Sequence, residues 1–358
     1  MHRVGSWLAV YGGLCLLGCA SPNRQATIGS PTPDTVQVPS RVQIDLSQST
    51  PKPARPQTLS VVSYNVHLLP SVALPFAGER SAAAYRAEKI AEQLAGYDLI
   101  ALNEAFDATH RQKVIDQLQA ETGNGYHVAD GPGRSGSHLI GGGLLVLSKY
   151  PILETHTHTY QNSTRFLTHG FKSDGFAAKG ALHVRVLVDL PSQLAVDCFV
   201  THLDSQSASV RELQLKEFCQ FVSHHQHSDN PAVLLGDFNI TAEPLGGAET
   251  EYANLMTSID QLRSVPFVDA AQRVAYGPAG SSNALADDGG RRIDYLFYSN
   301  SDRPFATQLT RVQARHLPLL DEQVPEGSLS DHLAVACEFR LVSKHAAVVP
   351  TSKWQLPR

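Results

Sequence analysis

A series of short polar clusters stands directly behind apolar runs: Asn65, Glu104, His202, Asp237 with Asn239, Asp294, and Asp331 with His332. Carboxylate and amide oxygens of this kind suit a hard divalent cation such as Mg²⁺, which accepts few protein ligands and keeps several waters. Two histidines add proton transfer near neutral pH, and an Asp beside one of them can balance its charge. These are the parts that hydrolysis of a phosphate ester needs. A metal neutralises phosphate charge, one group helps water attack, and another assists the leaving oxygen. Singly, each residue has a plainer reading, since a lone Glu behind a strand is usually solvated and a lone Asn forms a turn. The weight rests on Gly236-Asp237-Phe238-Asn239, Arg292-Ile293-Asp294-Tyr295 and Ser330-Asp331-His332, where the acids directly flank apolar runs.

The elements that must position these residues are readable from periodicity. Strand patterns run over Leu59 to Val66, Leu99 to Glu104, Gly143 to Ser148, Leu182 to Leu190, Leu194 to Leu203, Pro231 to Gly236, Arg292 to Tyr298 and Leu333 to Leu341. Helical spacing appears at Ala82 to Gly96, with Ile90 and Leu94 on one face, and at Gln112 to Thr122, stopped by Gly123. A third helix is expected over Val210 to His224, with Leu213, Phe218 and Phe221 inward. Strands outnumber helices and several neighbours read as hairpins. A doubly wound parallel sheet is therefore disfavoured, and an α/β fold of the α+β type, a sandwich of mixed sheets flanked by helices, is expected. In such a sandwich the polar strand ends converge on one rim.

Composition bounds the rest. A chain of 358 residues with 42% hydrophobic and 18% charged residues excludes global disorder. Lys and Arg number 29 against 34 acids, a formal charge of −5, where a protein gripping nucleic acid by its phosphates would carry a basic excess. Arg3 and the apolar run behind it mark residues 1–18 as a signal segment. Leu16-Leu17-Gly18-Cys19 resembles a bacterial lipobox, in which Cys19 is lipidated and becomes the first residue; an ordinary cut after Ala20 is the alternative. Export follows in either case, to an outer-membrane or cell-surface anchor in the first and to free secretion in the second. Residues 19–58, with Pro22, Pro31, Pro33, Pro39, Pro51, Pro53 and Pro56, read as an extended tether. Residues 59–343 form one catalytic domain in this reading, followed by a tail over 344–358. Cys198 and Cys337 lie in apolar runs as small hydrophobes, so no structural disulfide is expected. A monomer is expected.

The motifs Ser63-Tyr64-Asn65-Val66, Asn103-Glu104, Thr201-His202-Leu203, Gly236-Asp237-Phe238-Asn239, Ile293-Asp294-Tyr295 and Ser330-Asp331-His332 occur in the order of the endonuclease/exonuclease/phosphatase superfamily. Within it the chain resembles the bacterial neutral sphingomyelinase C branch. The supporting stretches are Asn103 to Asp107, Leu147 to Ile152, Ala208 to Glu217 and Glu251 to Ala253. Asp174 with Lys179-Gly180 adds a spacing typical of neutral sphingomyelinases. The resemblance implies a DNase I-like, four-layer sandwich of two mixed sheets flanked by helices, and a Mg²⁺-dependent phosphodiesterase (Mn²⁺ or Co²⁺ being substitutes). It implies Glu104 as the principal metal ligand with Asn65 and Asp237 near it. Asp237 and Asn239 would orient water and a phosphate oxygen. His332 would be the base, held by Asp294, with Asp331 in the metal or water network. His202 would assist the leaving group, and Lys179, gated by Asp174, would stand beside the phosphate with Asn65. The implied substrate is a phospholipid headgroup, sphingomyelin first, reached from a lipid anchor. A nuclease, a phosphatase for soluble phosphoesters, and a non-enzymatic surface lipoprotein are the other readings. The chain departs from the branch twice. Arg315 to Leu320, where the branch carries a membrane-inserting aromatic hairpin, holds no Trp, Phe or Tyr, and Leu139-Ile140-Gly141 replaces an acidic second metal site.

Overall fold

The structure, a computed structural model, describes residues 58–70, 82–123, 125–134, 136, 138, 140–164, 177–189, 194–242, 251–272, 292–301, 303 and 308–342. The expected signal, most of the tether, Asp174, Leu139 and the tail lie outside these residues. In chain order the elements are β1 (Thr58–Leu68), α1 (Ala83–Leu94), β2 (Leu99–Ala105), α2 (Ala108–Thr122), β3 (His127–Asp130), β4 (Leu145–Ser148), β5 (Ile152–Thr159) and β6 (Gly180–Asp189). They continue with β7 (Leu194–His202), α3 (Ala208–His225), β8 (Ala232–Asp237), α4 (Glu251–Asp260), β9 (Val268–Asp269), β10 (Asp294–Ser299), β11 (Gln308–Leu317) and β12 (Ala334–Val342).

Successive side chains of a strand point to opposite faces, and that parity sorts the core. On β1, Leu59 and Val61 enter a central apolar layer, whereas Val62, Tyr64 and Val66 enter an outer one shared with Ile90 and Leu94 of α1. On β8, Val233 and Leu235 face the same central layer, and Leu234 packs outward against Phe218 of α3. Two six-stranded sheets result, ordered β11-β12-β1-β2-β4-β3 and β5-β6-β7-β8-β10-β9. Both are mixed: β1–β2 and β7–β8 are parallel pairs, each joined through a helix, and the remaining neighbours are antiparallel. Helix, sheet, sheet, helix is the four-layer sandwich expected from the sequence.

Local chemistry moved several boundaries. Helix α2 begins at Ala108, a turn before the expected Gln112, because Asp107 accepts hydrogen bonds from the backbone N–H groups of Thr109 and His110 at 2.9 Å each. Leu213 does not face inward. The buried stripe of α3 runs through Arg211, Gln214, Leu215, Phe218, Phe221 and Val222, which turns Leu213 to solvent at 42% exposure. Strands β3, β5, β9 and β11 and helix α4 had no clear sequence signal. Cys198, Cys219 and Cys337 are free thiols, the first and last of them buried.

Candidate active site

The parity that puts Val61, Ala101, Val200, Leu235 and Leu296 in the central layer puts Asn65, Asn103, His202, Asp237 and Asp294 on the same inner face, near one end of the sandwich. Register lines them up. In the second sheet His202 pairs with Asp237, and Asp237 with Asp294, giving a row of three across β7, β8 and β10. In the first sheet Asn65 pairs with Asn103 across β1 and β2. Amides bridge the two rows: Asn65 Nδ2 donates to Asp237 Oδ2 at 3.1 Å, and Asn103 Nδ2 to the Thr201 carbonyl at 2.8 Å. Gly236 makes the β7–β8 approach possible. Its φ is 131°, and a Cβ there would lie 2.0 Å from the Thr201 carbonyl oxygen.

Glu104, the penultimate residue of β2, has φ 58°, a left-handed conformation that non-glycine residues seldom adopt. The kink brings Glu104 Oε1 to 3.0 Å from Asn65 Nδ2. His67 and Asn239 share this conformation, so three of the four such residues among those described surround one site. Strain of this kind persists where the surroundings over-determine it. The Asn239 backbone N–H donates to Asp237 Oδ1 at 2.9 Å, and its side chain donates to the Leu203 carbonyl at 3.0 Å.

Two histidines flank Asp237 Oδ2, His202 Nε2 at 3.6 Å and His332 Nε2 at 3.9 Å. Lys179, itself buried, stands with Nζ 3.0 Å from His202 Nε2 and donates to the Leu203 carbonyl at 2.6 Å. An ammonium only donates, so His202 Nε2 is the acceptor and that imidazole is neutral there. On the other side His332 Nδ1 lies 2.7 Å from Asp294 Oδ2. Burial opposes a charge on His332, but Asp294, then Asp237 and Asp331, raise it well above the ordinary imidazole range. Asp237 is pushed up to about 7, by burial first and the Asp294 carboxylate second. Burial would raise Asp331 too, yet the hydrogen bond from His67 and the nearby His332 hold it well below the usual carboxylate range.

The donor set fits a divalent cation. One atom from each of Glu104, His202 and Asp237 lies within 4.8 Å of the others, and Asp237, Asp294 and His332 form a second such group. Asp237 is a buried acid whose ionised form a cation would stabilise, and Glu104 Oε1 and Asp237 Oδ2 already converge on one amide.

Of the residues singled out from sequence, Asn65, Glu104, Lys179, His202, Asp237, Asn239, Asp294 and His332 meet at this site. Asp331 borders it, its carboxylate 2.9 Å from His67 Nδ1. Asp174 and Cys19 lie outside the described residues. Three partners escaped the sequence reading. His67 is one; its Nε2 is buried and has no hydrogen-bond partner among the described residues. Burial opposes its protonation, while the Asp331 hydrogen bond and the Glu104 charge raise it. Arg86 is the second, donating to the carbonyls of Val66, His67 and Leu329 at 3.1, 2.9 and 2.8 Å and so clamping the Asn65 and His332 segments together. Ser330, present in the Ser330-Asp331-His332 motif but given no role from the sequence, is the third, donating to the Asn65 carbonyl at 2.7 Å. A buried Arg within a helical apolar stripe is the one signal that could have been noticed.

Residues 62–332 match the model of the Endonuclease/Exonuclease/phosphatase family. The chain belongs to that family. Relatives within the family include Sphingomyelin phosphodiesterase 2 of Mus musculus, 27% identical over 224 residues, 57% of this chain and 49% of that protein. Sphingomyelinase C of Bacillus cereus is 27% identical over 233 residues, 58% of this chain and 65% of that protein. The chain thus spans less than two thirds of either. A double mutant of beta toxin from Staphylococcus aureus, solved with bound magnesium ions, shares the fold with a TM-score of 0.57 at 20% identity, over 78% of this chain and 99% of that one.

Proposed function

We propose that the chain is an exported, divalent-metal-dependent phosphodiesterase that cleaves a phospholipid headgroup, with sphingomyelin as first substrate. The observation that carries this reading is Asp237 Oδ2, held between the His332–Asp294 pair and the Lys179–His202 pair and tied through Asn65 to Glu104. The sphingomyelinase relatives supply the substrate class, since the core geometry alone fits any phosphate ester.

A Mg²⁺ held by Glu104 and Asp237 would neutralise phosphate charge. Asp294, Asp237 and Asp331 favour the protonated form of His332 in the free site, so Nε2 must first shed that proton; it then takes the proton of the attacking water as the new P–O bond forms, and Asp294 stabilises the imidazolium. The bond from phosphorus to the ceramide oxygen breaks, and that oxygen takes a proton from the Lys179–His202 pair. Asn239 fixes Asp237 from below through Oδ1, leaving Oδ2 toward the substrate. Export, with Cys19 as lipid anchor and residues up to 58 as tether, belongs to the same proposal and brings the site to a membrane.

Purified protein should be assayed with Mg²⁺ on sphingomyelin in mixed micelles, on phosphatidylcholine, on plasmid DNA and on a soluble phosphomonoester. Release of phosphocholine from sphingomyelin ahead of the others supports the reading. DNA nicking without lipid turnover assigns the site to a nuclease, and phosphomonoester turnover alone assigns it to a phosphatase.

A further inference from the structure

A trio of histidines far apart in the sequence meets on the helix-covered face of the second sheet, the face opposite the one that carries His202. His156 of β5 pairs directly with His183 of β6, and His225 in the last turn of α3 closes over both. Ring centroids are 4.1 Å apart for His156 and His225, 5.6 Å for His156 and His183, and 5.9 Å for His183 and His225. One nitrogen from each lies within 4.8 Å of the others. In the sequence, His224, His225 and His227 look like a solvated helix end. His224 and His227 are indeed exposed, but His225 is drawn inward.

The second observation concerns the tautomer of His183, which is fully buried. Its Nε2 lies 3.0 Å from Asp197 Oδ1. Burial would raise the Asp197 carboxyl, but His183, the His227 backbone N–H and Arg185 hold it below its ordinary range. The carboxylate is therefore ionised and accepts only, so Nε2 carries the hydrogen and Nδ1 is a bare lone pair. That Nδ1 is buried with no hydrogen-bond partner among the described residues. A carboxylate holding one ring nitrogen while the other is left open is the arrangement that orients a metal-binding imidazole and raises its basicity.

We propose that His156, His183 and His225 form a binding site for a divalent transition cation of the zinc or copper kind, separate from the acidic catalytic centre. Three neutral imidazoles favour such ions over Mg²⁺, which prefers oxygen, and leave a fourth position for water or an outside ligand. His183 is the fixed anchor. His156 and His225, half-buried and stacked at an interplanar angle of 19°, turn about their side-chain bonds until their lone pairs meet the ion. The charged groups nearest the trio are Glu154, 3.8 Å from His156 Nε2, Arg185, which bonds both Asp197 and the His225 carbonyl, and Asp197 itself. A bound ion would pin the β5–β6 edge to the end of α3. The proposal does not depend on the catalytic reading.

The test uses untagged full-length protein with excess Mg²⁺ occupying the acidic site, titrated with Co²⁺ as a spectroscopic substitute for Zn²⁺. One equivalent should bind with visible ligand-field bands, and Zn²⁺ should displace it and raise the melting temperature. His156→Phe and His225→Phe keep an aromatic ring in the stack but remove a ligand, and each should weaken Co²⁺ binding at least ~10-fold. Glu104→Ala should leave the bands unchanged, which separates this site from the catalytic one. Absence of Co²⁺ uptake beyond the Mg²⁺-blocked site, bands that survive both Phe variants, or bands lost in Glu104→Ala would each overturn the proposal.

Discussion

Removing Asp294 and His332 singly and together asks whether the two act as a unit. His332 Nδ1 and Asp294 Oδ2 are 2.7 Å apart and both side chains are buried, so the contact is a short, charge-assisted hydrogen bond that water does not screen. A positioned general base contributes ~10²–10⁴ in rate, so His332→Ala should cost ~10³, about 4 kcal/mol of transition-state stabilisation. Asp294→Ala leaves the imidazole without its tautomer lock and without the charge that stabilises the imidazolium, and should cost ~10²–10³. Independent contributions would multiply to ~10⁵–10⁶, whereas a functional pair should leave the double variant near the ~10³ of His332→Ala alone. The assay is the initial rate on a water-soluble phosphodiester, so that membrane binding does not enter, with thermal melts to show that each variant folds. A double variant slower than His332→Ala by ~10²-fold refutes the pairing. Asp294 would then act elsewhere, for instance on Asp237, whose carboxyl it already pushes upward.

Gly236→Ala places a methyl 2.0 Å from the Thr201 carbonyl and forces alanine to φ 131°, so denaturant unfolding should show a loss of at least ~2 kcal/mol; a loss within ~0.5 kcal/mol would contradict the β7–β8 register. Burial and neighbouring imidazoles lower His225 to about 4 in the folded protein against an ordinary value of 6.5. The unfolded chain therefore binds the proton first, and the stabilisation present above pH 6.5 is lost as pH falls toward about 4. The melting temperature should drop across that window less steeply in His225→Phe than in the native chain, and equal slopes would contradict it. Cys19→Ala should accumulate an unprocessed precursor and abolish partition into detergent, as seen by immunoblot of fractionated cells; native protein found free in the medium with Ser21 at its N-terminus would establish the ordinary secretory cut instead.

The central strands were legible because burial on both faces leaves continuous apolar runs, as in Leu99–Ala105 and Ala232–Asp237. Their polar ends stood out for the same reason, and Glu104, Asp237 and His202 were visible before any geometry. Edge strands were not. The run Ile152–Thr159 is mostly half-exposed and polar, and in Gln308–Leu317 only Leu309 is fully buried, so neither shows a core pattern. His67 was missed because its place in the site depends on a left-handed backbone at φ 47° and on Asp331 far along the chain. The trio of His156, His183 and His225 was invisible for a related reason. Sheet register and helix docking bring those rings together, and neither can be read from local composition.

The central claim is that Glu104 and Asp237 hold the cation that serves phosphodiester hydrolysis. Its most direct test is the initial rate of sphingomyelin hydrolysis in mixed micelles against free Mg²⁺, for the native protein and for Glu104→Gln. The native rate should be silent in EDTA and rise to saturation with Mg²⁺. Glu104→Gln, shown by its melt to be folded, should fall by at least ~10²-fold at the same Mg²⁺ concentration, with part of the loss recovered at higher concentration. Undiminished turnover in EDTA, or a Glu104→Gln titration that overlays the native one, would contradict the claim.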